Sequence, residues 1–279
     1  MSQKFDYIIE KIQDASFETV PFKHLYIEDF LSSEHLEIFK NAKQIKLDKH
    51  STTEELIDTL KKNTYKQQTF PGCTTSVKDY LEWYNNQQIN NLYNGDIVEG
   101  FGMAWRLMKP EPEVQEIIDF LNSNKFHKTL KRKFGLKKDT RVATDVQKYL
   151  TGYEISPHPD IRSKALTYLI NINTEQETEG MDIHTHLLKF KPKYESTYGY
   201  WSANPTIDRC WVPWEWCNTE KLISKNNSLV MFSPNNDTLH AVKLDYDHLS
   251  LQRTQLYGNL WYKDKVKAKA AYYQDLPIL

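Results

Sequence analysis

The apolar pattern of this chain changes period once, near residue 141, and that change limits the folds open to it. Before it, SSEHLEIFKNAKQI (32–45), TTEELIDTLKKN (52–63), VKDYLEWYNNQQINNLY (77–93) and EPEVQEIIDFLNSNKFHKTLKRKFG (111–135) repeat apolar residues at helical spacing. Ser32 or Ser33 offers an N-cap to the first, with Glu34 in its first turn, and Asn122–Asn124 breaks the last. After it, VATDVQKYLTGYEIS (142–156), KALTYLINI (164–172), NSLVMFS (227–233) and RTQLYGNLWY (253–262) are rich in β-branched and aromatic residues. FKHLYIEDFL (22–31) adds an early segment of strand character. Helices first and strands later predict an α+β, mainly β fold, a β core buttressed by N-terminal helices.

With no repeat, low-complexity tract or long linker, one domain is expected over 1–279. Residues 1–141 form its helical buttress, 142–262 its core with an insert at 182–218, and 263–279 a C-terminal tail. Apolar residues make up 39% of the chain and charged residues 26%, enough for a core. A net charge of −1 gives no global reason to expect nucleic acid or an anionic membrane. The seven basic residues of KTLKRKFGLKKDTR (128–141) read as a solvated helix face and loop. No run approaches the roughly 20 apolar residues that span a bilayer. MSQKFDYIIEKIQD lacks the apolar stretch of a secretory signal. Three cysteines, Cys73, Cys210 and Cys217, cannot all pair. The expectation is a soluble protein of the reducing cytoplasm, with neither membrane nor nucleic-acid partner.

One short stretch carries chemistry. In SPHPDIRSK (156–164), His158 and Asp160 stand two residues apart, so an extended backbone points both side chains to one side. Pro159 stiffens the pair. A third ligand is available at His240, in FSPNNDTLHAVKL, just past the strand that ends at Phe232. Two imidazoles and one carboxylate make the facial triad of non-heme Fe(II) sites, with coordination positions left open. Arg253 opens RTQLYGNLWY thirteen residues after His240, in a chain with six arginines and thirty lysines. Its guanidinium is suited to a bidentate grip on a carboxylate; the plainer reading is an ion pair at a sheet edge.

YEISPHPDIRSKALTYLININ, TLHAV and RTQLYGNLWY together resemble the Fe(II)- and 2-oxoglutarate-dependent oxygenase superfamily, with its H-x-D…H…R pattern. FKHLYIEDFLSSEHLEIF is similar to the opening of prolyl-hydroxylase-like members. The match covers about residues 142–262 well and the first fifty loosely. Gln255 stands where many relatives carry a serine, and only Gly180 remains of the glycines after the second strand.

The resemblance implies a double-stranded β-helix (jelly-roll, cupin-like) core. It implies Fe(II) on His158, Asp160 and His240, and 2-oxoglutarate held at its far carboxylate by Arg253. The reaction would be hydroxylation of an unidentified substrate with O2, giving succinate and CO2. Gln147, Tyr149, Tyr153, Thr167 and Gln255 are further candidates for cosubstrate contact; Tyr149 and Tyr153 read equally well as barrel core. Two rivals stay open: a cupin-like metalloenzyme that does not use 2-oxoglutarate, and a non-catalytic β-barrel binding module.

The insert holds four of the seven tryptophans, Trp201, Trp211, Trp214 and Trp216. They read as a hydrophobic cluster under a loop, an aromatic wall over the substrate, or a mixture of the two. His184, His186, Cys210 and Cys217 have the ligand types for a tetrahedral zinc, but at a spacing looser than a zinc knuckle.

Overall fold

The N-terminal half forms helices for local reasons. The structure, a computed structural model, describes residues 3–68, 76–86 and 102–270. Helix α1 (Asp6–Asp14) buries Ile8, Ile9 and Ile12, an i, i+1, i+4 stripe. Helices α2 (Ser33–Asn41), α3 (Thr53–Lys62) and α4 (Val77–Asn85) each start behind a hydroxyl cap. Ser32, Thr52 and Ser76 accept from the backbone N–H three residues on, at 3.3, 3.2 and 3.1 Å. The segment expected to break at 122–124 does so. Pro112 opens α5 (Pro112–Leu121), Ser123 caps α6 (Asn124–Phe134), and Gly135 ends it in the left-handed region at φ 65°.

Eleven strands among the described residues form two antiparallel sheets. They are β1 (Leu25–Ile27), β2 (Tyr65–Gln67), β3 (Ala104–Leu107), β4 (Thr140–Tyr149), β5 (Glu154–His158) and β6 (Lys164–Asn171), then β7 (Thr185–Phe190), β8 (Cys217–Ile223), β9 (Leu229–Phe232), β10 (His240–Lys243) and β11 (Arg253–Tyr262). The large sheet runs β1-β9-β6-β11-β4-β3-β2 and the small one β5-β10-β7-β8. From β4 onward the chain distributes eight strands evenly between the two sheets, consistent with a jelly-roll core.

Three apolar layers follow from strand alternation. The outer face of the large sheet, with Val146, Leu166, Tyr168, Leu256 and Leu260, packs on helix residues such as Ile8, Phe39, Leu56, Ile117 and Phe126. Between the sheets, Leu169, Val230 and Phe232 meet Leu187 and Ile223. Outside the small sheet, Leu188, Phe190 and Ala241 pack on Trp201, Cys210, Val212 and Trp216.

The structure refines several expectations. VATDVQKYLTGYEIS is two strands in different sheets, parted by a turn at Gly152 (φ 76°), where an added Cβ would lie 2.2 Å from the Trp83 ring. The 182–218 stretch is only partly an insert, because it supplies β7 to the small sheet and the first residues of β8. Between these strands lie α7 (Ser196–Ala203) and a 3-10 turn at Trp214–Trp216. Of the 77–93 helix, residues 87–93 lie outside the described residues, as do Cys73 and the tail beyond 270. Among the described residues, no helix is long and apolar enough to cross a membrane.

Candidate metal centre

His158 ends β5 and His240 begins β10, and the two are register partners across the small sheet. Their rings lie 4.4 Å apart, centroid to centroid. β5 is a free edge of that sheet, where the prolines at 157 and 159 remove no ladder hydrogen bond. Asp160, just past the strand, brings its Oδ2 to 3.9 Å from His240 Nε2. One ligand atom from each of His158, Asp160 and His240 lies within 4.8 Å of the others, and among the described residues this is the one His/Cys/Asp/Glu group so placed.

The second contacts of each residue decide whether the three can bind a metal. His158 Nδ1 lies 2.8 Å from Ser156 O and His240 Nδ1 3.1 Å from Thr238 O. A carbonyl only accepts, so both Nδ1 atoms carry the proton and both Nε2 atoms keep a lone pair. Burial, reinforced by the facing His240 ring, lowers the His158 pKa to about 3; burial also lowers that of His240. Burial alone would raise the Asp160 pKa, but the Lys164 ammonium and the two imidazoles hold its carboxyl below the usual carboxylate range. All three residues are therefore in the metal-binding protonation state at neutral pH. The donor set fits a divalent ion.

Lys164 and Thr167, both on β6, fix the carboxylate. Lys164 Nζ ion-pairs with Asp160 Oδ1 and donates to Tyr257 Oη at 2.9 Å. The Thr167 hydroxyl donates to Asp160 Oδ2, and lies 3.1 Å from Asn259 Oδ1. Thr167 thus engages a metal-ligand candidate from the large sheet. Lys164 escaped the sequence reading, although its place four residues after Asp160 put it within reach.

Arg253 begins β11 in the large sheet, paired with Tyr149, and is 2% exposed. Its Nη2 donates to Thr185 Oγ1 at 3.4 Å, and its guanidinium carbon stands 4.7 Å from the centre of the Tyr149 ring. Its Nε is buried without a partner, and among the described residues no carboxylate pairs with it. The sheet-edge ion pair is absent. Thr185 lies two residues along β7 from Leu187, the register partner of His240, so Arg253 reaches a level about 7 Å along the strand from that ligand.

Of the other expected contacts, Tyr149 and Tyr153 lie beside this arginine. Tyr149 donates to Gln147 Oε1 at 2.9 Å, and the Tyr149 and Tyr153 rings lie 4.8 Å apart. Gln255 spends its Nε2 on Asn171 Oδ1 at 2.7 Å. Tyr246, unnoticed in the sequence, accepts from Arg253 N at 3.1 Å and donates to Tyr149 O.

The four tryptophans divide. Trp211 lies 5.8 Å from the His158 ring at 31°. Trp201 and Trp216 are buried in the outer cluster. Trp214 donates to Glu154 Oε1 at 2.7 Å and meets His186 edge-on. The zinc candidates do not assemble: His184 Nε2 bonds to Thr178 O at 2.7 Å, His186 Nδ1 lies 3.0 Å from Thr219 Oγ1, and Cys210 and Cys217 are buried in the outer cluster.

No protein-family model matches the chain, and no curated protein does. Solved structures do. A prolyl-4-hydroxylase from Pseudomonas putida is 7% identical with a TM-score of 0.46, over 92% of this chain and 97% of that one. A prolyl hydroxylase from Trichoplax adhaerens, solved with a hypoxia inducible factor peptide fragment, is 11% identical with a TM-score of 0.42, over 92% and 89%. HygX from Streptomyces hygroscopicus, solved with nickel, 2-oxoglutarate and hygromycin B, is 8% identical with a TM-score of 0.42, over 96% and 90%. Among the solved structures to which this chain is similar are thus prolyl hydroxylases and a member of the 2OG-Fe(II) oxygenase family.

Proposed function

We propose that the chain is an Fe(II)- and 2-oxoglutarate-dependent oxygenase on a double-stranded β-helix. It hydroxylates a C–H bond of a small molecule or protein side chain while 2-oxoglutarate is converted to succinate and CO2. The observation that carries this reading is Arg253: a buried guanidinium with no acid partner among the described residues, about 7 Å along the strand from a His-Asp-His set with both Nε2 atoms available to a metal. Burying an uncompensated cation costs several kcal/mol, and the far carboxylate of a five-carbon dicarboxylate offsets that cost. A metalloenzyme without this cosubstrate has no use for the arginine. A binding module has no use for the triad.

Bound Fe(II) would supply the redox chemistry that activates O2. The chain's own residues do the rest. His158, Asp160 and His240 hold the ion, and Lys164 and Thr167 fix the plane of the Asp160 carboxylate. Arg253 grips the far carboxylate in a two-pronged fork, with the Thr185 hydroxyl beside it. Tyr149 and Tyr153 wall the arginine from water, which strengthens that ion pair. Trp211 stands beside His158, its ring 5.8 Å from the imidazole, and is the insert tryptophan that a substrate at the metal would meet. Nitrogen and oxygen donors also suit Mn, Co and Ni, so these ions are expected to occupy purified protein in part.

The test is metal content and succinate. Iron-reconstituted protein should form succinate from 2-oxoglutarate and O2, and a His158→Ala/His240→Ala variant should retain no metal by elemental analysis. Full metal occupancy in that variant would remove the triad from the account.

A further inference from the structure

Arg209 is a second buried guanidinium near the triad, and the proposed chemistry leaves it without a role. It is 5% exposed, and its Nε is buried with no partner. Among the described residues it forms no hydrogen bond or ion pair. Of the neighbouring acids, Asp208 Oδ1 accepts from Arg162 N at 3.0 Å and Asp160 is held by Lys164 and Thr167, while Asp237 attracts Arg209 from beyond ion-pair range.

Its direction follows from alternation. Cys210 and Val212 pack outward into the cluster with Phe190, Trp201 and Leu239. In an extended run, residues i and i+2 share a side, which turns Arg209 and Trp211 the opposite way. The Trp211 ring, 5.8 Å from that of His158, lies on that side. Val212 N donates to Pro157 O at 2.9 Å, pinning the segment along the free edge of β5 beside His158. The positive charge of Arg209 accordingly acts on Asp160 and on His240. Trp211 Nε1 is a further buried donor without an acceptor. Two donors, one cationic, thus flank the metal ligands, and both lack an acceptor among the described residues. Leaving them so costs their desolvation unless a ligand supplies the acceptor.

We infer that Arg209 and Trp211 Nε1 form a subsite for an anionic oxygen group of the prime substrate, a carboxylate or a phosphate, close to the carbon that is oxidised. The inference rests on the oxygenase reading and divides the arginines: Arg253 takes the cosubstrate, Arg209 the substrate. Their surroundings differ accordingly. Arg253 lies among Tyr149, Tyr153 and Tyr246, whereas Arg209 lies near Arg162, Asp160, Asp208 and Asp237. A neutral apolar substrate would leave the buried Arg209 guanidinium without a hydrogen-bond acceptor.

Calorimetry on Mn(II)-loaded protein tests this in two arms. The first titrates 2-oxoglutarate; wild-type protein that does not bind it overturns the oxygenase reading itself. The second titrates the 2-oxoglutarate-saturated protein with inorganic phosphate and with propionate, and the anion that saturates identifies the group. Arg209→Gln should weaken that anion by about tenfold or more, the loss of a charge-assisted bond. Its 2-oxoglutarate affinity should move by less than about twofold. Arg209→Lys keeps the charge and loses the fork, so it should fall between, and it carries the test if the glutamine variant misfolds. Three results overturn the subsite: neither anion saturates wild-type protein, the variants bind anion as wild type does, or Arg209→Gln weakens 2-oxoglutarate as strongly as Arg253→Ala.

Discussion

Single buried charges show most clearly what this fold tolerates. Lys148 is 1% exposed and donates to Thr254 Oγ1 at 2.8 Å, with no carboxylate in ion-pair range among the described residues. Burial lowers its pKa from 10.5 to about 7 and outweighs the opposing charge of Glu175. Between those two values the unfolded state binds more protons than the folded one, so stability rises with pH across that window. Below about pH 7 both states carry the charge and the folded state bears the full burial cost. Lys148→Met should therefore raise the Tm at pH 7, and the gain should shrink towards pH 10. Thr254 keeps a partner in Gln252 O, 3.2 Å away, so the substitution strands no hydroxyl. Melting curves at the two pH values check this; an equal gain at both would mean that packing, not charge, sets the difference.

Among the elements, β11 was the most legible and the small sheet the least. RTQLYGNLWY is a ten-residue run rich in β-branched and aromatic residues, and the strand occupies that span. β10 is four residues long and β7 starts inside a stretch whose tryptophans and prolines suggested a loop, so neither offered a window long enough for a period to show. The turn at Gly152 was hidden for another reason: the glycine is required by Trp83, almost seventy residues earlier in the chain. Gly258 shows the same dependence in the middle of β11. An added Cβ there would lie 2.0 Å from Tyr168 Cζ on the adjacent β6. Gly258→Ala should cost about 1–3 kcal/mol by overpacking, seen as a lower urea midpoint with an unchanged slope. An unchanged midpoint would show that the Tyr168 ring moves aside freely.

For the whole molecule, buried neutral histidines set the acid limit. His184 and His248 are fully buried, and burial lowers the pKa of each to about 4. Each has a sealed Nδ1 with no acceptor among the described residues, so protonation there places a buried charge without a hydrogen-bond partner. Their folded pKa values lie below the ordinary histidine value of 6.5. Below about pH 6.5 the unfolded state therefore takes up more protons, and each residue removes about 1.4 kcal/mol of stability per pH unit until its folded pKa is reached. The Tm of metal-free protein should fall steeply from pH 6.5 to 4.5, and less so in His184→Asn or His248→Asn protein; identical curves would place the acid sensitivity elsewhere. The candidate site was legible to the extent that its chemistry lay in short motifs: His158, Asp160, His240 and Arg253 each stood beside a strand signal. Lys164, Thr185, Tyr246 and Arg209 were not singled out, because their roles come from register and burial that no local pattern states. Arg209 did carry one signal, the scarcity of arginine that drew attention to Arg253. The central claim is that Arg253 awaits the far carboxylate of 2-oxoglutarate, and calorimetric titration of Mn(II)-loaded wild-type and Arg253→Ala protein with 2-oxoglutarate tests it most directly. Loss of a two-pronged charge-assisted contact, at about 1.5–3 kcal/mol per bond, predicts affinity weakened about a hundredfold or more, partly recovered in Arg253→Lys, with Mn(II) binding unchanged. An unchanged dissociation constant in Arg253→Ala would make the arginine structural and contradict the account.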